Sequence, residues 1–197
     1  MPFFSIDVEA SGPLPGIHDL LSIGLVLVGH DGGKYIPLPD EVYWELLPVH
    51  GGVVKEAMNV NRLDLERLKR EGLLPSEVAL QLDRWVRDRS SPDDPAVFVG
   101  YVANFDWSFI NDLFLRHNMD NPFGYRALDF RAMAMGLLPK PWMAIKHHEL
   151  AEECGVKMPS DGEAHHALVD ARHQAELFCA LLNRMGLRDA LRGHRGV

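Results

Sequence analysis

The chain has 197 residues, 47% of them hydrophobic and 24% charged, with a formal net charge of −8. That length suffices for one compact core, and the acidic balance excludes coating nucleic acid by bulk electrostatics, though not gripping a few nucleotides. No uncharged apolar run reaches membrane-spanning length, MPFFSIDVE meets an acid too early for an export signal, and Cys154 and Cys179 form no CxxC pair, so a cytoplasmic, reducing setting is expected.

The N-terminal third reads as β structure: Phe3–Val8, then Leu21–Val28, then a pair around Tyr35–Leu38 and Val42–Leu47. The gaps at Gly29–Gly33 and Pro39–Glu41 carry turn chemistry, which predicts an antiparallel meander. Helical spacing follows at Leu63–Arg70 and at Pro75–Arg89, the latter through Val78, Leu82, Trp85 and Val86. Ala96–Tyr101 is a continuous apolar run, as expected of a strand buried on both faces, and a helix is predicted over Asp106–His117. Arg126–Phe130 reads as a further strand, Ile145–Cys154 as a short helix, and His166–Arg184 as a long one with Ala167, Ala171, Ala175, Phe178 and Leu182 on one face. With no repeat or linker, the expectation is one α/β domain over 1–197, built on a mixed sheet.

Acids stand out against this frame. Asp7 and Glu9 lie at i and i+2 of the first strand, so they share a face. Two unit charges ~6 Å apart at an effective dielectric of ~20 repel by about 3 kcal/mol. A solvated strand face would screen most of that and is the plain alternative, but the Gly/Pro segment ASGPLPG follows at once and lets backbone approach a ligand. Asp106 stands between a buried strand and a helix, where it serves equally as a first-turn acid or as a residue at the ligand-binding end of a strand. Asp170 sits among Ala167, Val169 and Ala171, with His165 and His166 before it. Asp129 is either a supporting group or a turn residue. Lys146-His-His-Glu-Leu150 invites a zinc reading, but Glu152 stands where HExxH needs its second histidine. Arg184, Arg188, Arg192 and Arg195 make a basic C-terminal end, either a solvated helix face or a track for phosphates.

Taken together, Asp7-Val-Glu9, the stretch YVANFD ending in Asp106, and His165-His-Ala167-Leu-Val-Asp170 resemble the three motifs of the DEDDh 3′–5′ exonucleases, the group of ribonuclease T and of the polymerase proofreading subunit. The motifs occur in order and span almost the whole chain. The resemblance implies an RNase H-like fold with a mixed five-stranded sheet flanked by helices. It implies hydrolysis of single-stranded DNA or RNA from the 3′ end. It makes Asp7, Glu9, Asp106 and Asp170 ligands for two divalent cations, for which Mg²⁺ or Mn²⁺ suits an all-oxygen set. It makes His165 the base that takes the proton of the attacking water. Helical i,i+4 geometry alone would choose His166 as the partner of Asp170, whereas the motif spacing chooses His165. Ala10 and Ser11 are the expected backbone contacts to the terminal nucleotide. Tyr101 and Val102 depart from the His-Asn frequent in the second motif, and the stretch AMNVN at 57–61 falls where relatives often have a loop against the terminal base. The expected partner is a single-stranded 3′ end, with no membrane; a homodimer is compatible with the sequence. A catalytically idle nucleic-acid-binding module and a proofreading module within a polymerase complex are the competing readings.

Overall fold

A computed structural model describes residues 1–138, 140–160 and 165–186. Its centre is a five-stranded sheet in the order β3-β2-β1-β4-β5. The strands are β1 (Phe3–Ala10), β2 (Leu20–Asp31), β3 (Lys34–Glu45), β4 (Val97–Gly100) and β5 (Ala127–Asp129). β1, β2 and β3 form the antiparallel meander, while β4 and β5 run parallel to β1. The helices are α1 (Lys55–Asn61), α2 (Leu65–Glu71), α3 (Pro75–Arg87), α4 (Ala103–Arg116), α5 (Phe130–Leu137), α6 (His147–Cys154) and α7 (Ala167–Arg184). This is the mixed sheet and helical flanking that the motifs implied.

Alternation along β1 assigns its two faces. Phe4, Ile6 and Val8 pack with Val78, Leu82 and Val86 of α3 and with Phe109, Ile110 and Phe114 of α4. Phe3 faces the other way, into a core with Phe130 of α5, Leu150 of α6 and Phe178 of α7. Asp7 and Glu9 continue that second face beyond its apolar part.

The meander differs from expectation in one respect. Residues 35–47 do not form two strands with a turn at Pro39–Glu41; β3 is continuous. Val26 pairs with Glu41 and Val28 with Pro37, so the extra residues of β3 swell into a bulge. The true turn is Gly32-Gly33, both at positive φ between the paired Asp31 and Lys34, as a two-residue hairpin loop demands. The stretch AMNVN lies in helix α1 rather than a loop, and α5, which no periodicity announced, begins at the Asp129 cap. Arg188, Arg192 and Arg195 lie outside the described residues, whereas Arg184 pairs with Glu153 at 3.6 Å.

One close approach sets where α7 can lie. A Cβ added to Gly24 of β2 would stand 2.3 Å from the backbone of Ala167. Gly24 is also the partner of Asp7 in the β1–β2 register, so the helix N-terminus crosses the sheet beside that acid. Gly24→Ala should therefore lower stability by about 1–3 kcal/mol through forced separation of helix and sheet. Gly136→Ala, in α5 with open space around it, should raise stability by up to about 1 kcal/mol. Urea unfolding checks both, and equal midpoints for the parent and Gly24→Ala would show that α7 is not held that closely.

Candidate active site

The four acids meet because the strands end at different heights. Parallel pairing of β1 with β4 stops at Ser5 and Val99, yet β1 runs on to Ala10. Beyond that point the amide of Val8 donates to Oδ1 of Asp106, at 3.1 Å. α4 starts directly after β4, so Asp106 in its first turn lies over the tail of β1, only 5% exposed. Asp106 thus replaces a missing strand partner as well as adding a charge.

Asp170 arrives from the opposite side on the first turn of α7. Ala171 and Ala175 let that helix sit low on the sheet, and Ser5 Oγ donates to the Ala171 carbonyl at 2.8 Å. The Asp170 carboxylate reaches back to accept the backbone N–H of His165, at 2.8 Å. His165 has φ +65, a left-handed conformation that costs a non-glycine residue about 1 kcal/mol or more. Ligand atoms of Glu9, His165 and Asp170 all fall within 4.8 Å of one another. His166 is placed differently: its ring stacks on Tyr43 of β3 at 4.3 Å, in the neighbourhood of Glu45.

Electrostatically the site is strained. Loss of hydration, then the charges of Asp106, Glu9 and Asp170, push the Asp7 carboxyl well above its ordinary value. Burial, then Asp170 and Asp106, lift Glu9 to about 8. Asp106 rises to about 7, chiefly through burial and against the pull of the Val8 amide. Asp170 is also raised by burial, opposed by the His165 amide. All four acids hold protons more tightly than free carboxyls do, and an all-oxygen donor set of this density is what a hard divalent cation fits.

Several side chains have roles the sequence did not announce. Gln174 donates to Asp7 Oδ1 at 2.6 Å; its signal was a polar residue one turn after Asp170 on an otherwise small and apolar face. Asp19 is buried and accepts the amides of Val49, His50 and Gly51. Ala10 and Ser11 are buried directly after Glu9. The Ser11 amide donates to the Asp19 carbonyl, its hydroxyl donates to the Gly52 carbonyl and accepts the Asp19 amide, and its carbonyl accepts the Val54 amide. Both Ser11 donors are thus engaged within the protein, which leaves only its acceptor lone pairs for a nucleotide. Asp129 caps α5 through the Ala132 amide at 2.8 Å, and His147 packs on Tyr101 and His173. A cavity of about 340 Å³ lies elsewhere, lined by Leu20, Leu46, Phe109 and Leu113 and by none of the four acids.

A mixed sheet with carboxylates from β1, α4 and α7 gathered at one end, joined by a histidine just before the last helix, defines a nuclease of the RNase H-like class. The comparisons narrow this. A family described as the 3′-5′ exoribonuclease Rv2179c-like domain matches residues 65–182. The 3′-5′ DNA exonuclease Cap18 of Escherichia coli is 39% identical over 176 residues, 89% of either chain. Ribonuclease T of Shewanella denitrificans is 30% identical over 186 residues, 91% of this chain and 79% of that one. In fold, the nuclease domain of 3′hExo, a DEDDh family member bound to rAMP, superposes with a TM-score of 0.75 at 13% identity, over 95% of this chain and 94% of that one. E. coli exonuclease I in complex with a dT13 oligonucleotide gives 0.72 at 16% identity, over 99% of this chain and 44% of that one. The chain belongs to the DEDDh 3′–5′ exonucleases.

The raised carboxyls fix a sign for pH dependence. In the unfolded chain these acids are ionised above about pH 5, whereas the fold keeps protons on Asp106 and Glu9 up to about 7 and 8. Folding therefore takes up protons in between, and stability must fall as pH rises through that window. His147, which burial lowers to about 4, and His173, also lowered by burial, destabilise only below their ordinary 6.5, and the buried thiols Cys154 and Cys179 add a loss of the same sign only as pH nears 9, so the range from pH 6.5 to 8 isolates the acids. Chelator-treated protein should lose stability across that range by up to about 1.4 kcal/mol per pH unit for each acid still protonated. Glu9→Gln should flatten the curve and raise stability at its alkaline end. Urea unfolding that is level or improves with pH would mean that the acids are not crowded as described.

Proposed function

We propose that residues 1–197 act as one divalent-cation-dependent exonuclease domain that shortens single-stranded DNA or RNA from the 3′ end, releasing nucleoside monophosphates. The observation that carries this reading is the convergence of Asp7, Glu9, Asp106 and Asp170, all with raised proton affinity, beside His165.

The four carboxylates are the residues that would hold Mg²⁺ or Mn²⁺, which when bound would neutralise them and polarise both the attacking water and the scissile phosphodiester. The protein's own part is to orient and to move protons. Glu9 and Asp170 bracket His165, and the Asp170 carboxylate holds the His165 backbone. The imidazole takes a proton from the water that attacks phosphorus, the bond from phosphorus to the 3′ oxygen of the preceding nucleotide breaks, and that oxygen leaves, taking a proton from solvent water. Asp106 and the Val8 amide keep the tail of β1 fixed while this happens. Ala10 and Ser11, fastened by their bonds to Gly52, Val54 and Asn61, are the backbone that would contact the terminal nucleotide.

The test is incubation of the protein with 5′-labelled DNA and RNA oligomers in Mn²⁺, Mg²⁺ or EDTA. The label should persist while the strand shortens stepwise, in either cation and not in EDTA. Early release of the label as mononucleotide would reverse the polarity, and cleavage in EDTA would remove the cation requirement. His165→Ala should reduce turnover by roughly 10²–10⁴-fold. His166→Ala, which loses the stack on Tyr43 and an electrostatic influence on Glu45 and Asp170, should cost less than about tenfold, since an aromatic stack contributes about 1 kcal/mol. The opposite order would move the base to the N-cap of α7.

A further inference from the structure

We infer that Gln174 is a positioning residue for the nuclease reaction, a rigid bridge that ties the Asp7 carboxylate to the backbone of the second motif. The inference rests on the function proposed above. Its basis is a pair of bonds made by one side chain: Gln174 Nε2 donates to Asp7 Oδ1 at 2.6 Å, and Gln174 Oε1 accepts the backbone N–H of Tyr101 at 2.8 Å. The residue is 4% exposed.

These contacts determine one another. An amide has one acceptor end and one donor end. Because Tyr101 offers an N–H, the oxygen must face Tyr101, which leaves the NH₂ to face Asp7. The peptide amide at 101 thereby dictates that Asp7 meets a donor rather than a second oxygen. Tyr101 is in turn pinned, its hydroxyl donating to the Ile145 carbonyl at 2.6 Å and its ring packed against Phe130 and His147. Gln174 itself lies one helical turn beyond Asp170 on the face of α7 that meets the sheet. One glutamine therefore links three elements that bear site acids: β1 with Asp7, the β4–α4 junction leading to Asp106, and α7 with Asp170.

The bridge ties Oδ1 of Asp7. Without it, Asp7 would be free to rotate away from three neighbouring negative charges, and the ligand set would have to be reassembled for each cation bound. Groups that orient metal ligands in this way typically affect metal affinity or activity by 10–100-fold. The second motif here has Tyr101 and Val102, neither of which offers a side-chain amide. The structure takes the polar contact from the main chain instead and relays it through Gln174.

Gln174→Met keeps the length and packing of the side chain but can neither donate to Asp7 nor accept from Tyr101. Mn²⁺ binding, measured by calorimetry without substrate, should weaken by roughly 10–100-fold, and kcat at saturating Mn²⁺ should fall several-fold with KM for an oligonucleotide changed less than threefold. Asn183→Ala serves as the structural control, because that side chain anchors the far end of the same helix to both the N–H and the carbonyl of Tyr35. It should lower the urea midpoint while leaving Mn²⁺ affinity and kcat as in the parent. Gln174→Asn, which keeps an amide but is one methylene too short to span both partners, should show the same split in milder form if Gln174→Met proves too unstable to purify. Mn²⁺ affinity and kcat within twofold of the parent in a folded Gln174 variant would overturn the bridge. A parent enzyme that cleaves in EDTA would overturn the proposed function instead, so the two failures are distinguishable.

Discussion

The constraint on which the rest of the structure depends is the crowding of Asp7, Glu9, Asp106 and Asp170 at one end of the sheet. Burial and mutual repulsion both disfavour their charged forms, so a chain free to relax would separate them. It is prevented by bonds that three of these acids also make to fixed donors. Asp106 accepts the Val8 amide, Asp170 the His165 amide, and Asp7 the Gln174 side chain. Hydrogen bonds to charged groups contribute about 1.5–3 kcal/mol each, comparable with the repulsion between neighbouring acids. The acids are held by the same groups that organise the local backbone, so the site cannot loosen without local unfolding.

The loop from Ser11 to Asp19 applies the same economy immediately after Glu9. It leaves β1 and returns to β2, closing on itself through the Ser11 amide and hydroxyl and the Asp19 amide and carbonyl. The Asp19 carboxylate gathers the amides of Val49, His50 and Gly51, and the Asn61 side chain donates to the Ala10 carbonyl at 3.1 Å. Segments distant in sequence are thus fastened to the tail of β1 immediately after Glu9. Rigid support of this kind suits a site that must place acids to within fractions of an ångström.

Legibility in the sequence followed the range of the interactions. β1, α3, α4 and α7 were readable because each buries a face whose period of 2 or 3.6 is written in its own residues, and β2 because it is a nearly continuous apolar run. β3 was misread as two strands, since Pro39 and Asp40 look like a turn and only pairing with Val26 and Val28 reveals a bulge. α5 was missed because its signal is a single cap, Asp129, before a short run of small and sulfur-bearing side chains. At the site, Asp7 and Glu9 were legible as a same-face pair, whereas Asp106 and Asp170 gained meaning only from the motifs. The contacts of Gln174 with Asp7 and Tyr101, and of Ser11 with Gly52 and Val54, were invisible, because hydrogen bonds between segments distant in sequence leave no local pattern. The Gly24 approach to Ala167 is of the same kind.

The two histidines show why local geometry and motif spacing gave different answers. The i,i+4 rule assumes that both residues are helical, and here α7 begins at Ala167 with His166 as its N-cap at φ −113. A residue at that position is extended, so its side chain does not share the face of Asp170. It turns instead toward β3 and finds the ring of Tyr43. His165, one residue earlier and left-handed, is turned back so that its amide meets the Asp170 carboxylate and its ring comes within reach of Glu9. The strain of the left-handed turn is what reverses the expected order, and the Asp170 carboxylate that accepts the amide is what holds it. The same acid thereby places the imidazole and contributes to the charge beside which it would act.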